Sequence, residues 1–362
     1  QNILVQVSDF LWSYIIITVL ICCALFFTWR TRFVQFRLIK EMVRLLLNPD
    51  KVQPEEIGQD ELSMEVKVDC LAWQKAFGIE PATMGIVLTV LTLLIIFGGI
   101  QRVAKFSSTV VPVMAVVYLL IAVGVVIWNI TSLPKVLLAI VENAFGFNQA
   151  AGGVLGVTVI QGIKRGLFSN EAGEGSAPNA AAVATVSHPV KQGLIQALGV
   201  FTDTLVVCSC TAFIILVSGV DVTASNGIQL TQDALTHEIG SIGNPFVAVM
   251  IWLFAFSSII GNYYYGETNV RYIRDSKLGV FIYRLAVAAM VMVGAVVSLD
   301  FAWSFADITM ALLTLCNLVA IVLLSRQAVF LLQDYRQQKK EGKNPVFSKD
   351  KMPEIADKLE AW

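Results

Sequence analysis

Charge is the scarcest resource in this chain: Asp, Glu, Lys and Arg make up 15% of 362 residues, against roughly a quarter in soluble domains. The 26 basic and 27 acidic residues cancel to a net charge of −1, which leaves no basic surface for a nucleic-acid partner. Histidine is almost absent, with only His188 and His237. Both lie at boundaries between apolar runs and are read as solvated or capping. Their spacing excludes the HExxH pair of a membrane metalloprotease, and with no GxSxG or Walker-type sequence the chain supports neither a hydrolase nor an ATP-driven pump. It is read as no enzyme, with no cofactor. The six cysteines are scattered without a CxxC pair or a Cys/His cluster, so they are read as small buried hydrophobes rather than as disulfides or metal ligands. Gln1 opens the sequence without a basic n-region or a small-residue cleavage site, so no signal peptide is expected.

What is present is apolar: 56% of the residues are hydrophobic and the mean hydropathy is +0.71, gathered in long runs. The expected fold class is an all-α polytopic membrane protein. Phe10 to Trp29 is the first span, ending against Arg30, Arg32, Arg37, Lys40 and Arg44. Phe33, Phe36, Ile39, Val43 and Leu47 recur at helical spacing among those cations, which predicts an amphipathic helix on the membrane surface. Residues 1–47 form this first unit. Residues 48–81 are read as a polar linker, because Asn48 to Cys70 holds two prolines, seven acids and no apolar run longer than two. Residues 82–325 form the core, with spans at Ala82–Ile100, Ser108–Trp128, Leu194–Val217, Phe246–Tyr265, Leu278–Leu299 and Trp303–Leu324. Leu133–Phe147 and Leu230–Ile239 read as shorter amphipathic helices. Residues 326–362 form a basic tail, expected in the cytoplasm by the positive-inside rule.

One further crossing is unlike the rest. From Gly156 to Val186, Gly162, Gly166, Gly173, Gly175 and Pro178 forbid a continuous helix, and Asn170, Glu171 and Glu174 are polar at membrane depth. The expectation is a broken transmembrane helix. Its first half would end near Leu167 and Phe168, and Ser176 would cap the second with Pro178 in its first turn. Unpaired backbone at such a break suits a small zwitterion, because half-helix ends present both free N–H groups and free carbonyls. A tight Gly-rich turn with no ligand is the alternative. At least one of Glu171 and Glu174 is expected to pair with Lys164 or Arg165. Asp203 and Asp307 are further intramembrane acids whose partners the sequence does not name.

Eight crossings result, and their charges conflict. The first span's basic flank sets the N-terminus outside and the tail sets the C-terminus inside, which requires an odd number. Either one span is inverted against its flank, or an odd number of crossings is missing between Leu47 and Ala82.

The run GLFSNEAGEGSAPNAAA at Gly166–Ala182 closely resembles the signature of the alanine or glycine:cation symporter family. FLW...FFTWRTRFVQFRL at Phe10–Leu38, AGGVLG at Ala151–Gly156, FAFSSIIGNYYYGE at Phe254–Glu267 and NLVAIVLLS at Asn317–Ser325 extend the likeness to nearly all of the chain outside about residues 48 to 70. The resemblance implies a five-plus-five inverted-repeat amino acid transporter fold, here partial, with about eight transmembrane helices and about three spans of the N-terminal half lacking. It implies a multi-pass protein of the bacterial cytoplasmic membrane that couples sodium entry to uptake of alanine or glycine. Phe168, Ser169, Asn170 and Glu171 would then line the substrate pocket, with Ser257 and Ser258 as cation ligands. Adjacent serines in a span also serve as packing or i−4 hydrogen-bonding residues, and a truncated, transport-incompetent family member is the alternative function.

Overall fold

The computed structural model describes residues 2–47, 62–98, 100–144, 152–182 and 184–356. Among them every regular element is helical. The first crossing is α1 (Asn2–Phe10) and α2 (Ile17–Arg30), joined without a bend by a π-turn at Leu11–Ile16. A left-handed turn at Arg32 and Phe33 leads to α3 (Val34–Arg37) and α4 (Ile39–Leu47). This stretch is helical, and Phe33, Phe36, Ile39, Val43 and Leu47 are all exposed, while Met42 and Leu45 turn inward.

The linker expected at residues 48–81 is corrected in its second half, where α5 (Leu62–Phe77) is a helix of 16 residues; residues 48–61 lie outside the described part. Met64, Val66, Cys70 and Ala72 are buried, but so are Glu65, Lys67 and Asp69. Those charges are what made the segment read as a loop. The helix tolerates them because its cations meet partners far away in sequence. Lys67 Nζ donates to the carbonyl of Ala295 at 3.2 Å, at the C-terminal end of a helix, where a cation is favoured. Lys75 Nζ reaches Asp233 at 2.6 Å.

Next come α6 (Pro81–Ile96), α7 (Ile100–Trp128) and α8 (Leu133–Ala144). The stretch Pro112–Trp128 and α8 bend by 103° at their joint. The broken crossing supplies α9 (Gly152–Asn170) and α10 (Ser176–Ala182). Then α11 (Pro189–Thr202) continues through a second π-turn, Asp203–Val207, into α12 (Cys208–Ser218), and α13 (Ile228–Ile239) runs through a 3-10 turn into α14 (Gly243–Ile273). The bundle closes with α15 (Lys277–Val296) and α16 (Leu299–Leu323), and α17 (Ser325–Lys340) begins the tail.

Among the described residues, five helical stretches are long and apolar enough to cross a membrane: Ile3–Arg30, Pro189–Ser218, Ile228–Ile273, Lys277–Val296 and Leu299–Leu323. The bent pair made of Pro112–Trp128 and α8 brings the number to six. The remaining two of the eight expected crossings fall short for local reasons. Helix α6 has only 16 residues, about 24 Å at 1.5 Å per residue, and the last is the interrupted one.

Among the described residues, the two largest of five hydrophobic clusters tie the long helices together. In one, α5 and α6 pack on α14 and α15 through Val66, Leu88, Ile96, Ile259, Tyr263 and Val291. Gly85 permits the close approach there, since a Cβ on it would lie 2.4 Å from that of Ala295. Such small-residue contacts drive helix association where burial from water offers nothing. The other core joins α7, α12, α13 and α14 around Tyr118, Ile214, Leu235 and Val247.

The tail folds back as a strap on the junction that follows the broken helix. Phe347 N–H donates to the Ser187 carbonyl at 2.9 Å, Ser187 Oγ donates to Pro345 O at 3.1 Å, and Lys191 Nζ donates to Asn344 at 2.8 Å. His188 caps α11 as expected, accepting the Val190 N–H on Nδ1, but it is 0% exposed rather than solvated; His237 keeps a 64% exposed side chain. The other ring nitrogen of His188 faces Asp334 Oδ2 at 3.2 Å, which also accepts from Gln338 and Lys351.

Burial pushes the His188 pKa below the usual imidazole range, against the opposing pull of Asp334. The folded chain therefore prefers the neutral ring, with Nδ1 accepting and Nε2–H donating. The stabilisation is complete above the unfolded value of about 6.5 and is lost as the pH falls toward the depressed folded value. Asp334 and Glu41 are held below the usual carboxylate range, so both stay ionised in that window. Lowering the pH from about 7.5 to about 5.5 is expected to weaken strap docking by about 1 kcal/mol, the worth of a helix cap. Hydrogen exchange at the Phe347 amide, corrected for its intrinsic rate, measures this, and His188→Gln is expected to remove the pH dependence.

Candidate functional site

The break begins two residues later than expected, with α9 ending at Asn170 rather than near Leu167 and Phe168. Its last regular bond is Glu171 N–H to Leu167 O at 2.8 Å. Next, the Ala172 N–H turns to the Oδ1 of Asn170 at 3.0 Å, which takes the Phe168 carbonyl off the helical ladder. Glu171 adopts the left-handed conformation with φ 51, a geometry that stops helices but normally employs Gly or Asn. In a residue with a long side chain it costs about 1–2 kcal/mol, which marks a position held for a purpose. Gly173 and Gly175 follow at φ 97 and 106. A Cβ on Gly175 would meet Asn317 at 3.2 Å, and Asn317 Nδ2 donates to the Gly173 carbonyl at 2.9 Å. Helix α16 thus props the interruption open.

Ser176 does not cap α10. It is the first residue of that helix, and its buried hydroxyl has no hydrogen-bond partner.

Lys164 and Arg165 also correct an expectation. Both turn to Asp307 of α16 and not to Glu171 or Glu174: Lys164 Nζ lies 2.5 Å from Asp307 Oδ2, and Arg165 Nη2 reaches both carboxylate oxygens at 2.8 and 3.0 Å. The backbone carbonyl of Asp307 accepts from Trp12 Nε1 at 2.9 Å, so α1, α9 and α16 meet at one residue. Arg165 also stacks over Trp303, 4.1 Å from the ring centroid. Glu171 and Glu174 are each 2% exposed.

Three of the four residues expected to line a pocket, Phe168, Ser169 and Asn170, have the following neighbours. Phe168 packs on Trp303 with ring centroids 4.9 Å apart. Ser169 Oγ donates to Asp203 Oδ2 and lies 2.9 Å from Cys208 Sγ. Asn170 Nδ2 donates to Thr204 Oγ1 at 2.8 Å. Asp203, Thr204 and Cys208 sit on or next to the π-turn of the α11–α12 crossing. That turn, which inserts a residue and re-aims the following side chains, gave no signal in the sequence.

Ser257 and Ser258 lie elsewhere, on α14. Ser257 is 8% exposed and its hydroxyl donates to the Phe254 carbonyl three residues back at 2.8 Å, the local pattern of a packing serine. Near the C-terminal end of α14, Asn269 Nδ2 donates to Asn179 Oδ1 of α10 at 3.3 Å. There a cavity of about 390 Å³ opens beside α10, lined in part by Asn179, Asn262, Tyr265, Asn269 and Thr309.

A sequence model described as "Sodium:alanine symporter family" matches residues 1–66 and 63–349. The chain is 52% identical over 289 residues to the probable sodium/glutamine symporter GlnT of Bacillus subtilis, covering 80% of this chain and 60% of that protein. It is 52% identical over 287 residues to the amino-acid carrier protein AlsT of the same organism, covering 79% and 61%. To the sodium/alanine symporter AgcS of Methanococcus maripaludis it is 35% identical over 276 residues, covering 74% and 60%. The chain thus spans about three fifths of the length of these relatives.

Proposed function

The chain belongs to the sodium:alanine symporter family, a family of carriers and not of enzymes, and on that footing we propose that it serves sodium-coupled symport of a small neutral amino acid, alanine or glycine. Transport would run across the bacterial cytoplasmic membrane by alternating access, with the amino acid held at the break. The observation that supports this most is the end of α9. Helix α9 stops at Asn170, leaves the Phe168 carbonyl off its ladder and turns through a left-handed Glu171. Irregular backbone within a membrane protein is tolerated where it is buried in protein or lines a cavity, and a helix C-terminus favours a cation such as the substrate ammonium. Phe168, Ser169, Asn170 and Glu171 are the proposed pocket. Ser257 and Ser258 are the proposed sodium ligands, resting on two adjacent hydroxyls within a crossing helix.

A second reading, a truncated family member that does not transport and retains only membrane insertion or an interaction role, is favoured by one observation. The family match falls in two stretches that meet at residues 63–66, beside the place where the charge parity calls for missing crossings.

Two measurements on the purified chain decide. Equilibrium binding of radiolabelled alanine, competed by glycine and glutamine, is expected to show a specific site that Asn170→Ala weakens about tenfold, equivalent to one hydrogen bond of about 1.4 kcal/mol. Uptake into proteoliposomes under a sodium gradient then separates the readings: binding with uptake is symport, and binding without uptake is the truncated member. A chain that binds no small amino acid overturns symport and leaves the truncated member.

A further inference from the structure

We propose that Asp203 holds a monovalent cation, sodium, against the C-terminal end of α9, at a site distinct from Ser257 and Ser258. The inference deepens the reading above and rests on it for the identity of the ion. Four observations on the π-turn of the α11–α12 crossing carry it.

The first is position. Asp203 lies inside the stretch Pro189–Ser218, long and apolar enough to cross the bilayer, where an ionised carboxylate is expensive unless compensated. The second is the lack of a counter-charge. Among the described residues no basic side chain makes an ion pair with Asp203, while the two cations of α9, Lys164 and Arg165, are both taken by Asp307.

The third is the direction of the local field. Asp203 accepts from Ser169, which belongs to the last turn of α9, so the carboxylate faces the negative end of a helix dipole. A carboxylate is favoured at the opposite end, and a cation at this one. Asp203 itself begins a π-turn inside a continuous helical crossing, with N-cap Thr202 still in helical geometry, so no helix start of its own compensates it. The arrangement makes electrostatic sense with a small cation between the carboxylate and the end of α9.

The fourth is the donor set. Sodium is a hard ion that takes oxygen ligands, among them carbonyls from half-helix C-terminal ends. Asp203 Oδ2 and Ser169 Oγ are already in contact, and in the same turn of α9 the Phe168 carbonyl has lost its helical donor to Asn170. Cys208 is the other titratable side chain on this cluster, with Sγ 3.9 Å from Asp203 Oδ2; a neutral thiol supplies no charge.

The test is binding of radiolabelled sodium to the full chain in detergent at neutral pH, with potassium as competitor and alanine binding measured in parallel. The wild-type chain is expected to bind sodium selectively. Asp203→Asn is expected to lower that binding about tenfold or more, Ser169→Ala to lower it by a smaller factor, and Asp275→Asn, a surface acid, to leave it unchanged. Undiminished sodium binding in Asp203→Asn overturns the inference and places the ion elsewhere. Absent sodium binding in the wild type, with alanine binding that gains a pH dependence removed by Asp203→Asn, also overturns it, because the carboxyl then holds a proton. If Asp203→Asn does not fold, Ser169→Ala carries the test: unchanged sodium affinity in that variant overturns the proposal. Sodium binding that depends on Asp203 in a chain that binds no alanine supports the ion site while removing the amino acid reading.

Discussion

Asp307→Ala is expected to destabilise the chain by about 3–5 kcal/mol, the cost of breaking a buried ion pair by removing one partner. Its carboxylate is the anion for both Lys164 and Arg165. The side chain of Lys164 is 6% exposed, so its ammonium would be left in the protein interior with the Ser8 hydroxyl as its remaining hydrogen-bond acceptor. Arg165, 36% exposed, would lose less, because solvent screens it. The expected readout is a large drop in the midpoint of unfolding, with loss of the monodisperse species in mild detergent. Lys164→Met in the same chain is expected to recover most of the loss, since the uncompensated charge and not the missing contact dominates. Equal destabilisation by the single and double variants would show that Asp307 acts through packing instead.

Glu267→Ala is expected to cost about 3 kcal/mol for the same reason at the far end of α14. Glu267 is 1% exposed, and its Oε1 accepts from Arg271 Nε and Nη2 at 2.9 and 2.6 Å. Its Oε2 accepts from Arg284 Nη2 at 3.2 Å, which ties α14 to α15. Arg284 is further held by Tyr263 Oη at 3.0 Å and lies over the Phe97 ring, so its guanidinium has nowhere to go when the carboxylate is removed. Arg271 is 42% exposed and turns to solvent and Asp275. Glu267→Gln, which keeps the acceptor oxygen but not the charge, is expected to cost about half as much. Unfolding in graded denaturing detergent measures both, and equal costs for Ala and Gln would assign the whole effect to charge.

The crossings and the interruption were legible because both are written in composition: long apolar runs for the former, Gly173, Gly175 and Pro178 amid polar residues for the latter. The pairing of charges was not. Lys164 and Arg165 sit one to two helical turns from Glu171, and proximity in sequence suggested those partners; the observed anion lies 142 residues from Arg165, on α16. Helix α5 failed to register for a related reason. Its buried charges interrupt the apolar periodicity, and a periodicity argument has no means of seeing that the Ala295 carbonyl and Asp233 are waiting for Lys67 and Lys75. The π-turn at Asp203–Val207 leaves no trace in residue types, because an extra residue in a helix changes winding and not chemistry. Asp203 was singled out as an acid in an apolar run, but that it faces Ser169 follows only from the fold.

That extra residue has a consequence for how the α11–α12 rod can vary. One residue of surplus winding turns everything downstream by about 100° relative to regular coiling. Deleting any single position between Asp203 and Val207 would restore an ordinary rod while swinging Cys208 and Thr211 about a third of a revolution out of register with Asp203. Both would leave their present partners, Ser169 and Tyr118. The segment is therefore indexed like a ratchet. It can exchange side chains freely, but it cannot gain or lose a single tooth without presenting a different face to the interrupted helix.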